Sequence, residues 1–346
     1  MDTAQPKKML LLNILDILKH RTDSEHRLTQ KEIMQILENQ YGMSVDRKAV
    51  KRNLMELISY GYHIEYTEIS RVGKSGETES IFTDWYLDHD FSDAELRLLI
   101  DGLLFSRQIP PGQCKRLIGK LEGLSNDYFK SHVRHISNLP DNQPTNSELF
   151  YTIEILDEAI SKKRQVSYIY NNYDVDMKLH PRLDHDGRTR EYLVNPYQMV
   201  ATNGKYYLIG NYDKYDNVIN FRLDRITGIR LLDTAAKSMR DVKGLEKGLD
   251  LPKHMAEHIY MFSGESMRVT FRVKRYLLND VIDWFGKDVS FSDVTEDEVT
   301  VNVKVNEEAM RLWALQYALF VRVLSPQSMA DEIKKNLEIA LSGYAE

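Results

Sequence analysis

The segment "KYYLIGNYDKYDNVINFRLDRI", residues 205–226, decides the fold and raises the question of function. It has the pattern of a single β-hairpin and carries five tyrosine and phenylalanine rings together with Arg222 and Arg225. A hydrophobic core can use the rings, but the two guanidinium groups stay charged at any physiological pH and serve no purpose in packing. We therefore expect the hairpin to present its arginines to an anion.

The residues around this hairpin predict a small β-barrel. Residues 148–163 have the apolar spacing of a helix, and short alternating segments follow it up to residue 233. Clusters of turn-forming residues, such as "NNYD", "HDGRT" and "DKYDN", separate these segments. One helix followed by five or six short antiparallel strands is typical of a barrel of the SH3 or Sm type.

Residues 1–90 predict a winged helix-turn-helix. Three helices with apolar periodicity, the second starting at a capping box of Thr29 and Glu32, precede two alternating segments joined by "RVGKSGE". In such a domain the third helix enters the major groove of DNA and the hairpin, or wing, touches the adjacent backbone. The candidate DNA-binding residues are Lys31, Ser44, Arg47, Lys48, Lys51 and Arg52 on the helical part and Arg71 and Lys74 on the wing.

The basic run "RKAVKR", residues 47–52, also has a simpler explanation as a solvated helix face, and taken alone the two interpretations are equally supported. Its positive charges gather at a helix N-terminus, where the helix dipole disfavours them, so we expect a compensating anionic ligand. The adjacent wing adds to this argument and favours DNA binding. The "GKS" in the wing resembles the end of a phosphate-binding loop, but the first glycine of that motif and the helix after it are both missing.

The rest of the chain predicts two further regions. Residues 91–147 form a helical connector that begins at a capping box of Ser92 and Glu95 and ends in the linker "SNLPDNQPTNS", residues 137–147. Residues 234–346 alternate strands and helices as in a ferredoxin-like α/β unit. The predicted fold class is therefore multidomain α+β, with domains at 1–90, 91–147, 148–233 and 234–346.

The order "HPRLD", "EYLVNPYQMVATNGKYYLIG", "FRLDRI" resembles the WYL domain of bacterial transcription regulators, with "YYL" at residues 206–208 in place of the Trp-Tyr-Leu signature. The resemblance extends to the order of winged helix, connector, barrel and C-terminal extension, and the departure is Tyr206 where the family has tryptophan. It implies a ligand-sensing barrel that binds a nucleic-acid fragment or nucleotide, and a C-terminal extension that dimerises or closes over the ligand of a neighbouring barrel. The ligand-binding residues it implies are Tyr168, His180, Arg182, Tyr207, Arg222 and Arg225.

The residue types agree with that ligand class, because arginine binds phosphate bidentately and tyrosine stacks on bases. Strand alternation places Tyr206 and Leu208 on one face, and we expect them to build the barrel core with Phe221. Arg222 and Arg225 are three positions apart, so they converge only if the strand ends or bends near Asp224. Asp224 is also a candidate partner for one of the two arginines, which would make that arginine structural.

Composition excludes several other classes of protein. The net charge of -6 over 346 residues means that any nucleic-acid contact must come from a local basic surface. No apolar run reaches the roughly 18 residues of a membrane span, and a single cysteine excludes a disulfide framework and a cysteine-based zinc site.

"HMAEH", residues 254–258, matches the pattern of inverted zinc proteases, but no third ligand is evident, and the simpler explanation is a chance match.

The sequence predicts a cytoplasmic, homodimeric, DNA-binding transcription regulator whose barrel senses a nucleic-acid or nucleotide ligand, with no cofactor, no metal and no membrane partner. The alternative is an accessory protein that binds single-stranded DNA or RNA and modulates a defence or repair system. An enzyme is disfavoured because no nucleophile with its base and no recognisable pair of carboxylates is found.

Overall fold

The computed structural model describes residues 6–72, 78–106, 108–129 and 146–344. The chain has a mixed α/β fold and divides into two compact units, Met1–Gln143 and Pro144–Glu346. Most of the predicted linker, residues 137–145, lies outside the described residues, as does Lys74 of the predicted wing. The finer boundaries at residues 90 and 233 stay predictions.

The first unit begins with three helices and a two-stranded antiparallel hairpin. These elements are α1 (Leu10–Arg21), α2 (Gln30–Tyr41), α3 (Arg47–Tyr60), β1 (Ile64–Val72) and β2 (Thr78–Leu87). The predicted capping box starts α2, since the Thr29 side chain accepts from the Glu32 N–H and the Glu32 carboxylate accepts from the Thr29 N–H. The apolar stripes of the helices meet in one core, into which the hairpin contributes the fully buried Trp85.

Two more helices of the first unit are described, α4 (Asp93–Phe105) and α5 (Pro111–Glu122). The capping box predicted at Ser92 and Glu95 is present at the start of α4. Cys114 is buried in the small core that joins the two helices. The next helix expected from the sequence, residues 127–136, lies largely outside the described residues.

The second unit opens with a helix followed by six antiparallel strands. They are α6 (Leu149–Lys162), β3 (Arg164–Tyr173), β4 (Leu179–Pro181), β5 (Glu191–Thr202), β6 (Lys205–Tyr212), β7 (Val218–Arg222) and β8 (Ile226–Ala235). The strand order is β4-β3-β5-β6-β7, and β8 pairs with β3. Because β3 takes part in three pairings, the sheet curls around a core to which the fully buried Val166, Leu208 and Ile226 contribute.

A buried polar network links β5 to its neighbours. The Asn195 amide donates to Asn211 Oδ1 at 3.0 Å and to Asp213 Oδ1 at 3.1 Å, and its oxygen accepts from Gln165 Nε2 at 2.9 Å and from the backbone N–H of Lys237 at 2.8 Å. Strands β5 and β6 approach each other closely here. A Cβ at Gly210 would lie 2.8 Å from the carbonyl oxygen of Asn195, which explains the glycine at this position.

The rest of the second unit has the β-α-β-β-α-β order, preceded by a short helix and followed by a longer one. The elements are α7 (Leu251–Glu257), β9 (Ser266–Lys274), α8 (Leu278–Phe285), β10 (Ser290–Ser292), β11 (Glu298–Asn306), α9 (Glu307–Gln316), β12 (Val321–Ser325) and α10 (Gln327–Ser342). The strand order is β10-β11-β9-β12, and the helices pack on one face of this sheet around Phe271, Phe285 and Trp313. In the part of the chain that the structure describes, no helix combines the length and the apolar character needed to cross a membrane.

The network around Asn195 generates a stability prediction. Asn195→Ala is expected to lower the free energy of unfolding of the second unit by about 3 kcal/mol, because it removes one hydrogen bond each of Gln165, Asn211 and Lys237 from a largely buried network. Chemical denaturation measures the change. Gln198→Ala, on an exposed position of the same strand, is the control and should stay within about 0.5 kcal/mol of the wild type. Equal effects of the two substitutions would contradict a structural role for the network.

Candidate functional site

The interruption between β7 and β8 organises the candidate site. An uninterrupted strand would point Arg222 and Arg225 to opposite faces. Instead β7 ends at Arg222, and Leu223–Arg225 form one turn of 3-10 helix anchored by the buried Leu223. The bend that convergence of the two arginines requires is therefore present.

Asp224 binds Arg222 with two hydrogen bonds. Arg222 Nε donates to Asp224 Oδ1 at 3.0 Å, and Nη2 donates to Oδ2 at 2.6 Å. Asp224 is only 4% exposed, so the pair is largely removed from water. Burial alone would lower the pKa of Arg222, but the hydrogen bonds and the charge of Asp224 raise it. Arg222 is therefore held in a structural ion pair, an outcome that the sequence left open for one of the two arginines.

Arg225 is the less committed of the two arginines. Its backbone carbonyl accepts from Asn171 Nδ2 at 2.9 Å, so the main chain at this position is fixed. The side chain is partly exposed, and its buried Nε has no hydrogen-bond partner among the described residues. Arg225 thus keeps donor capacity for a group outside the fold.

Three tyrosines lie within electrostatic range of the two arginines. Burial raises the pKa of Tyr173 and Tyr207, and the positive charges of Arg222 and Arg225 oppose this rise at both. Burial also raises the pKa of Tyr170, against the hydrogen bond from Arg222 and the charges of Arg225 and Arg182. These residues define the arginine–tyrosine cluster, which consists of Tyr170, Tyr173, Arg182, Tyr207, Arg222 and Arg225.

Tyr170 joins the two sides of the cluster. Its hydroxyl oxygen accepts from the backbone N–H of Arg222 at 3.1 Å. The guanidinium of Arg182 lies 4.9 Å from the centroid of its ring and also donates to Asn172 Oδ1 through Nε and Nη2, at 3.2 and 3.1 Å. The cluster can therefore offer cationic donors beside aromatic faces, which suits a phosphate attached to a planar base.

Two residues predicted to bind ligand lie elsewhere. Tyr168 is 1% exposed and belongs to the core, where its ring is parallel to Tyr192 and edge-on to Phe221. Of the two tyrosines on this face of β3, Tyr170, two positions along, is the one that reaches Arg222, so the role of Tyr168 in ligand binding stays a prediction. His180 is exposed on β4, where its Nε2 is 2.9 Å from an Asp176 oxygen, and no contact of its ring with the arginines was found.

The expected division within β6 also needs correction. Leu208 and Phe221 are buried in the barrel as expected, whereas Tyr206 is partly exposed. Tyr207 pairs with Arg222 across the strands, but it is itself largely buried in an apolar cluster with Val200, Ile209 and Met261. It therefore forms a wall of the arginine–tyrosine cluster rather than an open surface for stacking.

Sequence reasoning missed Arg190. Its guanidinium lies 4.7 Å from the ring centroid of Tyr192 and 5.1 Å from that of Tyr212, and a hydrogen bond with Tyr212 raises the pKa of Arg190. Tyr212 in turn contacts Tyr215 edge-on. Arginine and tyrosine are both frequent in this region, but only the pairing of β5 with β6 brings these particular residues together.

Of the predicted DNA-binding residues, Lys74 lies outside the described residues; the others occupy exposed positions on the first unit, except that Lys51 is half-buried. Lys51 Nζ lies 4.0 Å from the ring centroid of Phe82 on the hairpin, and Arg47 Nε donates to Gln30 Oε1 at 2.6 Å. Arg52 is 3.8 Å from Glu56. Lys31, Ser44, Lys48 and Arg71 are exposed, and Lys48 lies on the first turn of α3.

The histidines of "HMAEH" stack on each other, with ring centroids 4.1 Å apart. His254 Nε2 is 3.1 Å from Asn220 Oδ1, and His258 Nδ1 is 2.9 Å from the His254 carbonyl oxygen. Burial, with a smaller effect of His258, lowers the pKa of His254 to about 4. Within the described ranges, no group of three or more His, Cys, Asp and Glu side chains is arranged to hold a metal ion.

Comparison with known proteins identifies one domain. The family model described as WYL domain matches residues 151–231, so the chain carries a WYL domain, and the resemblance found in the sequence is confirmed. No curated protein matches the chain.

Two solved structures show a weak likeness. Proteasome accessory factor B/C (PafBC) of Arthrobacter aurescens is 17% identical over 100% of this chain and 50% of its own, with a TM-score of 0.29. A CRISPR Cas-related protein is 14% identical over 97% of this chain and 85% of its own, with a TM-score of 0.38. The chain spans half the length of the PafBC chain.

The half-buried His254 predicts a pH dependence of stability. Its folded pKa of about 4 lies below the ordinary 6.5, so between these values the unfolded chain binds a proton that the folded chain does not. The free energy of unfolding should therefore be highest above pH 6.5 and fall by up to about 3 kcal/mol as the pH is lowered towards 4.

Denaturation at pH 7, 6 and 5 tests this dependence. His254→Gln should have a shallower pH profile than the wild type, whereas His185→Gln, which changes an exposed histidine of the same unit, should not alter the profile. A wild-type slope preserved in His254→Gln would show that another group is responsible.

Proposed function

We propose that this protein is a DNA-binding transcription regulator whose WYL domain senses a nucleic-acid or nucleotide-like ligand and changes operator affinity. The observation that carries the proposal is the turn at Leu223–Arg225 within the WYL domain, which holds Arg222 beside Tyr170 and Tyr207 and leaves Arg225 Nε without a partner among the described residues. In this proposal the modules are a winged helix-turn-helix, a helical connector, an Sm-like barrel and a ferredoxin-like extension. The topology of the second unit and the helix and hairpin order of the first are compatible with it.

The ligand proposed for the cluster is a phosphate-bearing one. Arg225 supplies the donor that the fold leaves uncommitted, and Arg182 adds a second cation over Tyr170. Guanidinium groups recognise phosphate oxygens through paired hydrogen bonds. Arg222 contributes charge, but a ligand would have to compete with Asp224 for its donors.

The DNA-binding role is proposed for the exposed face of α3. Arg47 and Lys51 have partners within the first unit, so their first task is to fix α3 against α2 and the hairpin. Lys48 and Lys31 are exposed and suited to phosphate contacts, and Ser44 and Arg52 are exposed as well. Such contacts position a helix on DNA and make the affinity strongly dependent on salt.

Regulation would follow from ligand binding in a cytoplasmic homodimer. Two winged helices of a dimer must fit half-sites about one helical turn apart, so a change in their spacing alters operator affinity. This mechanism needs no catalytic step, cofactor or metal, and we propose none.

The surface around Arg190 favours a second candidate function. Arg190, Tyr192, Tyr212 and Tyr215 form a further group of cationic and aromatic side chains, with Lys214 Nζ 5.9 Å from the Tyr215 ring centroid. Aromatic and basic side chains in succession suit single-stranded nucleic acid. The alternative is therefore an accessory protein that binds single-stranded DNA or RNA in a defence or repair system. A comparison of duplex with single-strand binding over a range of salt concentrations separates the two functions.

Lys48→Ala tests the DNA-binding face. We expect weaker duplex binding and a slope of log affinity against log salt that is smaller by about 0.9, because one phosphate contact is lost. Fluorescence polarisation with a duplex selected from random DNA by the wild-type chain measures both. Lys115→Ala, on the exposed side of α5, removes the same charge elsewhere on the first unit and should leave the slope unchanged. A wild-type slope in Lys48→Ala would contradict the proposal that this face of α3 binds DNA.

Arg225→Gln tests the sensor. The variant should bind a short single-stranded oligonucleotide at least about tenfold more weakly, because a charged donor to phosphate is lost, and should bind the selected duplex as the wild type does. Arg225 is the better target than Arg222, because removing Arg222 leaves Asp224 buried and unpaired at a cost of about 3 to 5 kcal/mol.

Arg188→Gln provides the matched control for the sensor experiment, since Arg188 is exposed in the loop before β5. It should retain both affinities. Poor duplex binding by Arg225→Gln in the absence of any oligonucleotide would contradict the sensor role of Arg225.

A further inference from the structure

The face of the C-terminal sheet opposite α8, α9 and α10 is rich in positive charge. Along β9, Val269, Phe271 and Val273 point into the helical core, so alternation sends the residues between them to the other face. The register of β11 and β12 adds the residues opposite these. The face then carries Arg268, Thr270, Arg272, Lys274, Glu298, Thr300, Asn302, Lys304 and Arg322.

Two arginines lie directly opposite each other on this face. Arg272 of β9 pairs with Arg322 of β12, a position that brings Cβ atoms to about 4.5 to 5.5 Å. Like charges in directly opposite positions destabilise a sheet. Among the described residues, neither guanidinium forms a hydrogen bond or an ion pair.

The nearby negative charge is already engaged. Glu298 forms an ion pair with Lys274 at 2.8 Å, and this hydrogen bond is the main cause that lowers the pKa of Glu298. The charges of Arg272 and Arg322 contribute less to the same shift, so both arginines lie within electrostatic range of Glu298 without binding it. At the other end of the face, Lys304 is paired with Glu257 at 3.0 Å. Within the part of the chain that the structure describes, Arg272 and Arg322 therefore remain a pair of cations without a matching anion.

Thr300 supplies a second, independent observation. It lies opposite Arg272 on β11 and is 3% exposed, yet its Oγ1 has no hydrogen-bond partner in the described part of the chain. A buried hydroxyl without a partner is unfavourable. The neighbouring Thr270 shows the usual arrangement on the same face, since its Oγ1 donates to Asn302 Oδ1 at 2.7 Å.

We propose that this face binds a phosphate group between Arg272 and Arg322, with the Thr300 hydroxyl as a further donor. Each guanidinium can give two parallel hydrogen bonds to phosphate oxygens. The anion removes the repulsion between the arginines and provides the acceptor that Thr300 lacks. This is a second anion site, formed by residues other than those of the arginine–tyrosine cluster.

The phosphate has two possible sources, a free phosphate compound or the backbone of a nucleic acid. Arg268 is exposed four residues before Arg272 on β9, about 13 Å away along an extended strand, which leaves room for a second phosphate of the same chain. The residues that form this face include no aromatic side chain, so bases would not be held by stacking on the sheet. The shared chemistry is recognition of the phosphate itself.

The test uses two probes on the full chain. Calorimetry measures the binding of pyrophosphate, which represents a free phosphate compound. Fluorescence polarisation measures the binding of a labelled twelve-residue deoxythymidine oligonucleotide, which represents a nucleic-acid backbone. The oligonucleotide is also titrated into Arg225→Gln, so that binding at the arginine–tyrosine cluster does not mask the second site.

Four substitutions and one control assign the binding to this face. Arg272→Gln and Arg322→Gln should each weaken binding at least about tenfold, and Thr300→Val should weaken it several-fold, whereas Thr300→Ser keeps the hydroxyl and should restore it. Arg240→Gln removes an exposed arginine of the same unit that lies outside the sheet and should have no effect. Without a probe, Arg322→Gln should melt no lower than the wild type, because the like-charge pair is gone.

This pattern with either probe supports the site and shows which source it accepts. Saturable binding that falls equally in Arg240→Gln and Arg272→Gln would overturn the proposal, as would the absence of binding for both probes. A lower melting temperature of Arg322→Gln would also contradict it, because it would show that the arginine is held by the fold.

Discussion

A single turn of 3-10 helix, Leu223–Arg225, is the constraint on which the candidate site depends. It breaks a strand whose alternation would otherwise separate Arg222 from Arg225, and it leaves the buried Leu223 to anchor the break in the core. β8 then begins at once and pairs with β3, the strand that carries Tyr170. The same turn therefore leads the chain from β7 to β8 and holds the two arginines near one group of tyrosines.

The ion pair between Arg222 and Asp224 gives the two arginines different roles. A buried pair gives little net stability, since desolvation of both groups offsets their attraction, but losing one partner is severely destabilising. Arg222 and Asp224 consequently need each other, and their two hydrogen bonds fix the geometry of the turn. With Arg222 so held, its positive charge still acts on Tyr173 and Tyr207, while Arg225 retains its donors. A rigid cation beside an uncommitted one is a preorganised arrangement for an anion.

The parts of the structure that follow from local rules could be predicted from the sequence. The capping boxes at Thr29 and Ser92 are set by residues three positions apart, and both are present. Local rules do not decide whether Tyr168 or Tyr170 contacts Arg222. Alternation puts both on one face of β3, and only the pairing with β8 and the end of β7 decides which one meets Arg222. The contacts of Arg190 could not be predicted either, because its tyrosine partners lie on two different strands and meet only through strand pairing.

The net charge of -6 gives no indication of these cationic groups, and electrostatic screening explains why they can still act. At physiological ionic strength the Debye length is about 8 Å, so a phosphate responds to the charges within a few residues of it rather than to the whole molecule. Three surfaces carry cations whose charge their neighbours do not neutralise completely. They are the face of α3, the arginine–tyrosine cluster and the C-terminal sheet. An acidic chain can therefore present several separate phosphate sites, while its overall charge disfavours non-specific binding to nucleic acid. Selectivity then rests on the geometry of each site.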